Sequence, residues 1–207
     1  MSDARDLPDD LPAELADGAA APVPPDLADG LPDDLPEPSA EDLERAERVQ
    51  RFWESARGRA GLGRVVAVTG PAWGEAMAPP AWSFGDSPEL ADELLGLVLE
   101  GTKTGTASLV WEYDGGQEPM PAEGDLSILL DGAGEPRALV RTTEVRVVPF
   151  DEVDEEFARS EGEGDRTLAS WREGHERYWR RNMPAGREFS RDMPVVCERF
   201  ELLYRAP

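Results

Sequence analysis

The sequence predicts an α+β domain, a small antiparallel sheet or barrel with flanking helices, preceded by a disordered acidic arm. Three observations point there. Four segments alternate apolar and polar residues with a period of two, the repeat of a half-buried strand. Three longer stretches space apolar residues three and four apart, the repeat of an amphipathic helix. Residues 1–40 instead hold 11 Asp and Glu, one Arg, 8 of the chain's 19 prolines and no aromatic residue. That is too little apolar area to offset the entropy of ordering them.

The elements follow in chain order. The arm, residues 1–38, half repeats itself, with DLPDDLP at Asp6–Pro12 returning as GLPDDLP at Gly30–Pro36. Residues 39–81 read as an N-terminal helix and connecting loop packed on the domain. Ser39 precedes a helical stretch to about Ser55, Asp42 stands three residues after it as in a capping box, and Leu43, Ala46, Val49, Phe52 and Trp53 form the apolar stripe. Gly58, Gly61 and Gly63 mark a linker, Arg64–Val68 a short strand, and the Pro-, Gly- and Ala-rich residues 70–81 a loop.

Residues 82–207 form the domain proper. Ser87 with Pro88 starts a helix whose stripe is Leu90, Leu94, Leu97 and Val98, and Gly101 ends it. Thr106–Tyr113, Leu126–Leu130, Ala138–Val148 and Val195–Tyr204 read as strands, with a turn at Asp131, Gly132 and Gly134. Asp151–Ala158 is a short acidic helix. Thr167–Arg181 is a longer one with Leu168, Trp171, His175 and Tyr178 along one face, which makes the single histidine a packed core residue. Strands with few helices between them favour an antiparallel sheet over a doubly wound one.

Charge narrows the function. The chain carries −23, of which the arm contributes −10, so the rest still carries −13. Broad binding to nucleic acid depends on cationic surface, so this balance argues against it. Arg177, Arg180 and Arg181, and Arg187 with Arg191, remain as local basic edges. The single cysteine, Cys197, excludes an internal disulfide and fits a reducing cytoplasm, and no apolar run reaches membrane-spanning length. A cytoplasmic protein with no membrane contact is expected. One His and one Cys in separate elements do not make a zinc set, so no metal or other cofactor is expected.

Chemistry is signalled at Lys103, the only lysine beside 20 arginines, in GTKTGT at Gly101–Thr106. A guanidinium cannot give up its proton near neutral pH and an amine can, so a position that takes Lys in an arginine-rich chain is a candidate base or nucleophile. The alternative is a lone solvated lysine left by the arginine bias.

Several strings then resemble one family. Gly101, Lys103 and Thr106 as Gly-x-Lys-x-x-Thr after a helix, SLVWEY, EGD at Glu123–Asp125, TTEV at Thr142–Val145, Pro149-Phe150, EGEGD at Glu161–Asp165 and the closing MPVVCERFELLY are similar in order to the ASCH domain, over about Trp82–Tyr204. The resemblance implies a PUA-like fold, a small β-barrel with helices covering a cleft that takes a nucleoside or a short RNA. It also implies metal-independent hydrolysis of an acylated nucleobase, as in a small relative that splits N(4)-acetylcytidine. The alternatives it carries are a ribonuclease or a non-catalytic RNA-binding or ligand-sensing module.

Carried over, the site is Lys103, Thr106 and a glutamate, Glu163 with Glu161 as the alternative. A neutral Lys103 amine would take the Thr106 proton, Glu163 would orient it or protonate the leaving amine, and backbone N–H groups of the 101–106 loop would hold the oxyanion. Trp82 and Phe84 are expected to stack on a base, with capping of the barrel as the alternative, and Arg141 to face the cleft. Asp86 is expected to cap the following helix.

Overall fold

The computed structural model describes residues 39–62, 77–114 and 119–207. The acidic arm, the strand expected at Arg64–Val68 and most of the loop after it lie outside these residues. Helix α1, Ala40–Arg59, begins with the expected box: Ser39 Oγ accepts from the Asp42 amide and Asp42 accepts from the Ser39 amide. It runs a turn beyond Ser55 because Ala56, fully buried, extends the apolar face of Val49 and Trp53. That face packs against Ile128, Leu130 and Leu139 of the sheet.

Helix α2, Pro88–Leu99, has Ser87 as its cap, with Ser87 Oγ accepting from the Leu90 amide, and Pro88 in its first turn. Asp86, expected as a cap, instead accepts from Arg181 and Asn182. Gly101 follows in the left-handed region at φ 78°. The amides of Thr102 and Lys103 both return to the Leu97 carbonyl, at 2.9 and 3.0 Å. This closing turn delivers Lys103 into the protein.

The strands are β1, Ala81–Trp82; β2, Gly105–Leu109; β3, Leu126–Leu130; β4, Pro136–Pro149; and β5, Pro194–Arg205. They form one five-stranded sheet in the order β1-β3-β4-β5-β2. Every pair is antiparallel except β1 with β3, so the sheet is mixed where an antiparallel one was expected. The exception is a two-residue strand, too short to carry a period. The strand expected to reach Tyr113 stops at Leu109, where the Glu112 carboxylate takes the Leu109 amide and the chain turns through a short 3-10 helix, Val110–Glu112.

Where one acidic helix was expected over Asp151–Ala158, a short 3-10 helix, Phe150–Glu152, precedes α3, Glu155–Glu161, and α4, Leu168–Asn182, completes the described helices. Asp154 caps α3 and Thr167 caps α4. Trp171 and Trp179 of α4 pack with Phe150, Phe157, Leu109 and Val195 in one core cluster, each such side chain adding about 1.5–3 kcal/mol of burial. A second cluster joins α2 to the sheet through Leu94, Leu95, Val98, Leu129, Val140 and Phe200. No helix among the described residues is long and apolar enough to cross a membrane.

Candidate active site

Lys103 ends α2's closing turn, and α3 brings the acids to it. The Thr104 amide donates to the Ser160 carbonyl at 2.7 Å, tying the Lys103 loop to the last turn of α3, and Gly162 turns the chain at φ 74°. Lys103 Nζ then donates to Glu161 Oε2 at 2.9 Å and to Glu163 Oε1 at 2.6 Å. Lys103 and Glu161 are each 1 % exposed, whereas Glu163 is partly open. Glu161 Oε1 also accepts the Trp171 indole N–H at 2.7 Å and lies 3.5 Å from His175 Nε2. His175 stacks on Trp171 at 4.2 Å, the packed role expected of it.

This company sets the charge on Lys103. Burial pulls the ammonium's pKa down, but the charges and hydrogen bonds of Glu161 and Glu163 outweigh it and raise the group above the ordinary lysine value. Glu161 is the mirror case: burial pushes its carboxyl up, while Lys103, His175 and the Trp171 hydrogen bond bring it below the usual range. Lys103 is thus a fixed ammonium, the opposite of the neutral amine that proton abstraction requires. Of the 101–106 loop expected to hold an oxyanion, the amides of Gly101, Thr102, Lys103 and Thr104 donate to protein carbonyls.

Thr106 lies elsewhere, on the wall of a cleft of about 990 Å³. Trp82 and Phe84 line the same cleft and meet edge to face at 4.8 Å. Phe84 connects the two places, because Lys103 Nζ lies 5.2 Å from its ring centre. Glu163 lines a separate pocket of about 220 Å³ with His175 and Arg177. Arg141, expected in the cleft, is 43 % exposed, pairs with Glu201, its cross-strand partner, and is not among the described residues that line the cleft.

Residues 80–204 match the family described as ASCH domain. The chain belongs to the ASCH-domain family. Two solved structures are similar to it. A protein from Enterococcus faecalis V583 shares 34 % identity at a TM-score of 0.64, covering 75 % of this chain and 88 % of its own. An ASCH domain from Lactobacillus crispatus JV V101 shares 31 % identity at a TM-score of 0.64, covering 77 % and 96 %. No curated protein matches the sequence.

Within this ASCH domain the cleft also holds residues that the sequence did not mark. Glu198 on β5 accepts from Thr142 Oγ1 at 2.6 Å. Burial pushes its carboxyl above the ordinary value, the Thr142 bond works against that, and Asp125 adds to it. The strand pattern does carry a signal: Glu198 shares a face with Val196 and Phe200, both buried, and an acid between two inward positions is out of place. Ser108 and Tyr113 meet at 2.8 Å on the cleft wall. Trp53 and Arg57 of α1, outside the matched ASCH residues, contribute to the wall too.

Proposed function

We propose that the protein takes a nucleoside, or the exposed nucleoside of a short RNA, into this cleft and hydrolyses an acyl amide on its base, with N(4)-acetylcytidine as the type of substrate. The observation that supports this most is the company of Thr106. The motif hydroxyl lines a cleft of nucleoside-accommodating volume among aromatic rings, hydroxyls and carboxylates, with Arg57 the one cation among the described lining residues. Trp82 and Tyr113 offer rings for stacking, and Ser108, Ser127 and Thr142 offer hydrogen bonds to sugar or base. Glu112, Asp125 and Glu198 oppose a polyanion and tolerate a neutral ligand.

In this reading Thr106 Oγ1 adds to the acyl carbonyl carbon, the amine departs, and water hydrolyses the acyl-threonine. Lys103 acts by position. Its ammonium, held by Glu161 and Glu163, lies against the Phe84 ring and braces that part of the cleft wall. The test is release of cytidine from N(4)-acetylcytidine in the presence of EDTA by the parent and by Thr106→Val, which keeps the shape and removes the hydroxyl. Turnover by the parent alone is expected. No release by the parent at high enzyme concentration would sink the hydrolase reading and leave nucleoside or RNA binding to be measured directly.

A further inference from the structure

The cleft contains a carboxylate that the Lys-x-x-Thr motif does not include. We propose that Glu198 is the proton acceptor and donor of the reaction, acting directly on the Thr106 hydroxyl. The proposal rests on reading the cleft as an amidohydrolase site. Thr106 of β2 and Glu198 of β5 are direct partners in the antiparallel register. Directly opposed residues project to the same face with Cβ atoms about 4.5–5.5 Å apart, within reach of a hydroxyl and a carboxylate. Both side chains line the cleft. A β-bulge between Thr142 and Glu144 interrupts the pairing of β4 with β5 on the other side of Glu198, and there Thr142 Oγ1 donates to Glu198 Oε1. Bulges of this kind re-aim side chains beside functional sites. The Thr142 bond fixes the carboxylate while its second oxygen keeps lone pairs for a proton.

Lys103 is unsuited to the same task because an ammonium held between two carboxylates has no lone pair to accept with. Glu198 has one, and its desolvation and the nearby Asp125 move it toward the pH at which a base is most effective. Among the described residues, the other titratable or charged groups on the cleft wall are Glu112 and Tyr113 after β2, Asp125 before β3, Tyr178 on α4 and Arg57 on α1. None of these is the register partner of Thr106.

The steps balance. The Thr106 proton passes to Glu198 as Oγ1 bonds to the acyl carbon and the carbonyl electrons move to oxygen. The tetrahedral adduct collapses, the C–N bond breaks, and Glu198 returns the proton to the leaving nitrogen. Water then gives a proton to Glu198 while its oxygen attacks the ester, and Thr106 leaves and takes that proton back. The sum is amide plus water to amine plus carboxylic acid.

The experiment is kcat/KM against pH for the parent, Glu198→Gln and Glu198→Ala on N(4)-acyl cytidines, the last also with added formate. Expected are a fall of about 10²–10⁴-fold in Glu198→Gln, loss of the acid limb that the parent shows, and recovery of Glu198→Ala by formate. Glu198→Gln within a few-fold of the parent, with the acid limb intact, would overturn the role of Glu198 and leave the amidohydrolase reading standing. No turnover by the parent overturns both. If the melting temperature of Glu198→Gln falls, Glu198→Asp decides: a reduced rate with the acid limb kept supports the role, and a profile without that limb refutes it.

Discussion

Replacing Lys103 by Met would leave Glu161, 1 % exposed, with a charge and only His175 beside it, and would leave Glu163 without its ammonium partner. Breaking a buried pair from one side typically costs about 3–5 kcal/mol, so Lys103→Met is expected to lose about that much stability in urea unfolding. The pH dependence follows from the directions of shift. Glu161 is depressed, so its contribution is present above the unfolded carboxyl value of about 4.3 and is lost as pH falls through the lower folded one. Lys103 is raised, so its contribution is present below about 10.4 and is lost as pH rises through the higher folded value. The parent should therefore show an acid limb of stability that Lys103→Met lacks. Cys197 gives a second prediction at this scale. Burial first, then the Glu161 charge, pushes its thiol up to about 12. The native protein should resist a thiol reagent at pH 8 and react only as it unfolds, and rapid native labelling would contradict the buried placement. Lys103 was legible in the sequence because it is unique there, and the acids only through the resemblance to the ASCH domain, which placed the site glutamate at Glu163 or Glu161. Its protonation state was not legible, since that depends on two carboxylates converging from the end of another helix. Glu198 escaped notice because only strand register places it opposite Thr106.

Between elements, the Lys103 loop and the end of α3 meet so closely that one glycine decides the join. Gly162 has φ 74°, and a Cβ there would stand 2.7 Å from the Thr102 carbonyl oxygen and 3.0 Å from the Lys103 amide nitrogen. Both obstacles are backbone, which cannot swing aside as a side chain does. Gly162→Ala is expected to cost roughly 1–3 kcal/mol and to loosen the Lys103 salt bridges, read as a lower melting temperature. An unchanged melting temperature would mean that α3 and the loop are not locked together. The elements that sequence reasoning placed well are those with local signals: Ser39 and Asp42 at α1, Ser87 and Pro88 at α2, and Thr167 at α4 all sit at their caps. β1 left no trace because two residues carry no period, and they pair in parallel with a strand more than forty residues on. The early end of β2 was hidden for a different reason. A side chain three residues on, Glu112, captures the Leu109 amide and turns the chain out of the ladder.

For the molecule as a whole, charge sets which ligands the cleft can receive. The chain carries −23, and within that total the described cleft wall sets Glu112, Asp125 and Glu198 against Arg57. Each phosphate of an RNA approaching this wall meets repulsion that falls off over about 8–10 Å at ordinary ionic strength, whereas a neutral nucleoside meets almost none. If the protein selects nucleosides, their affinity should stay nearly constant between low and high salt. Binding of a short RNA, being opposed by the same field, should be weak at low salt and should not fall further as salt rises. A site built on phosphate contacts would behave in the opposite way, losing affinity with salt by a log–log slope of about 0.7 per single-strand phosphate engaged. Titration of cytidine and of a trinucleotide across a salt series measures both slopes in one experiment. A steep negative slope for the trinucleotide would place a cationic contact in the recognition surface, most directly along the Arg177, Arg180 and Arg181 edge of α4, and would move the assignment from nucleoside to RNA.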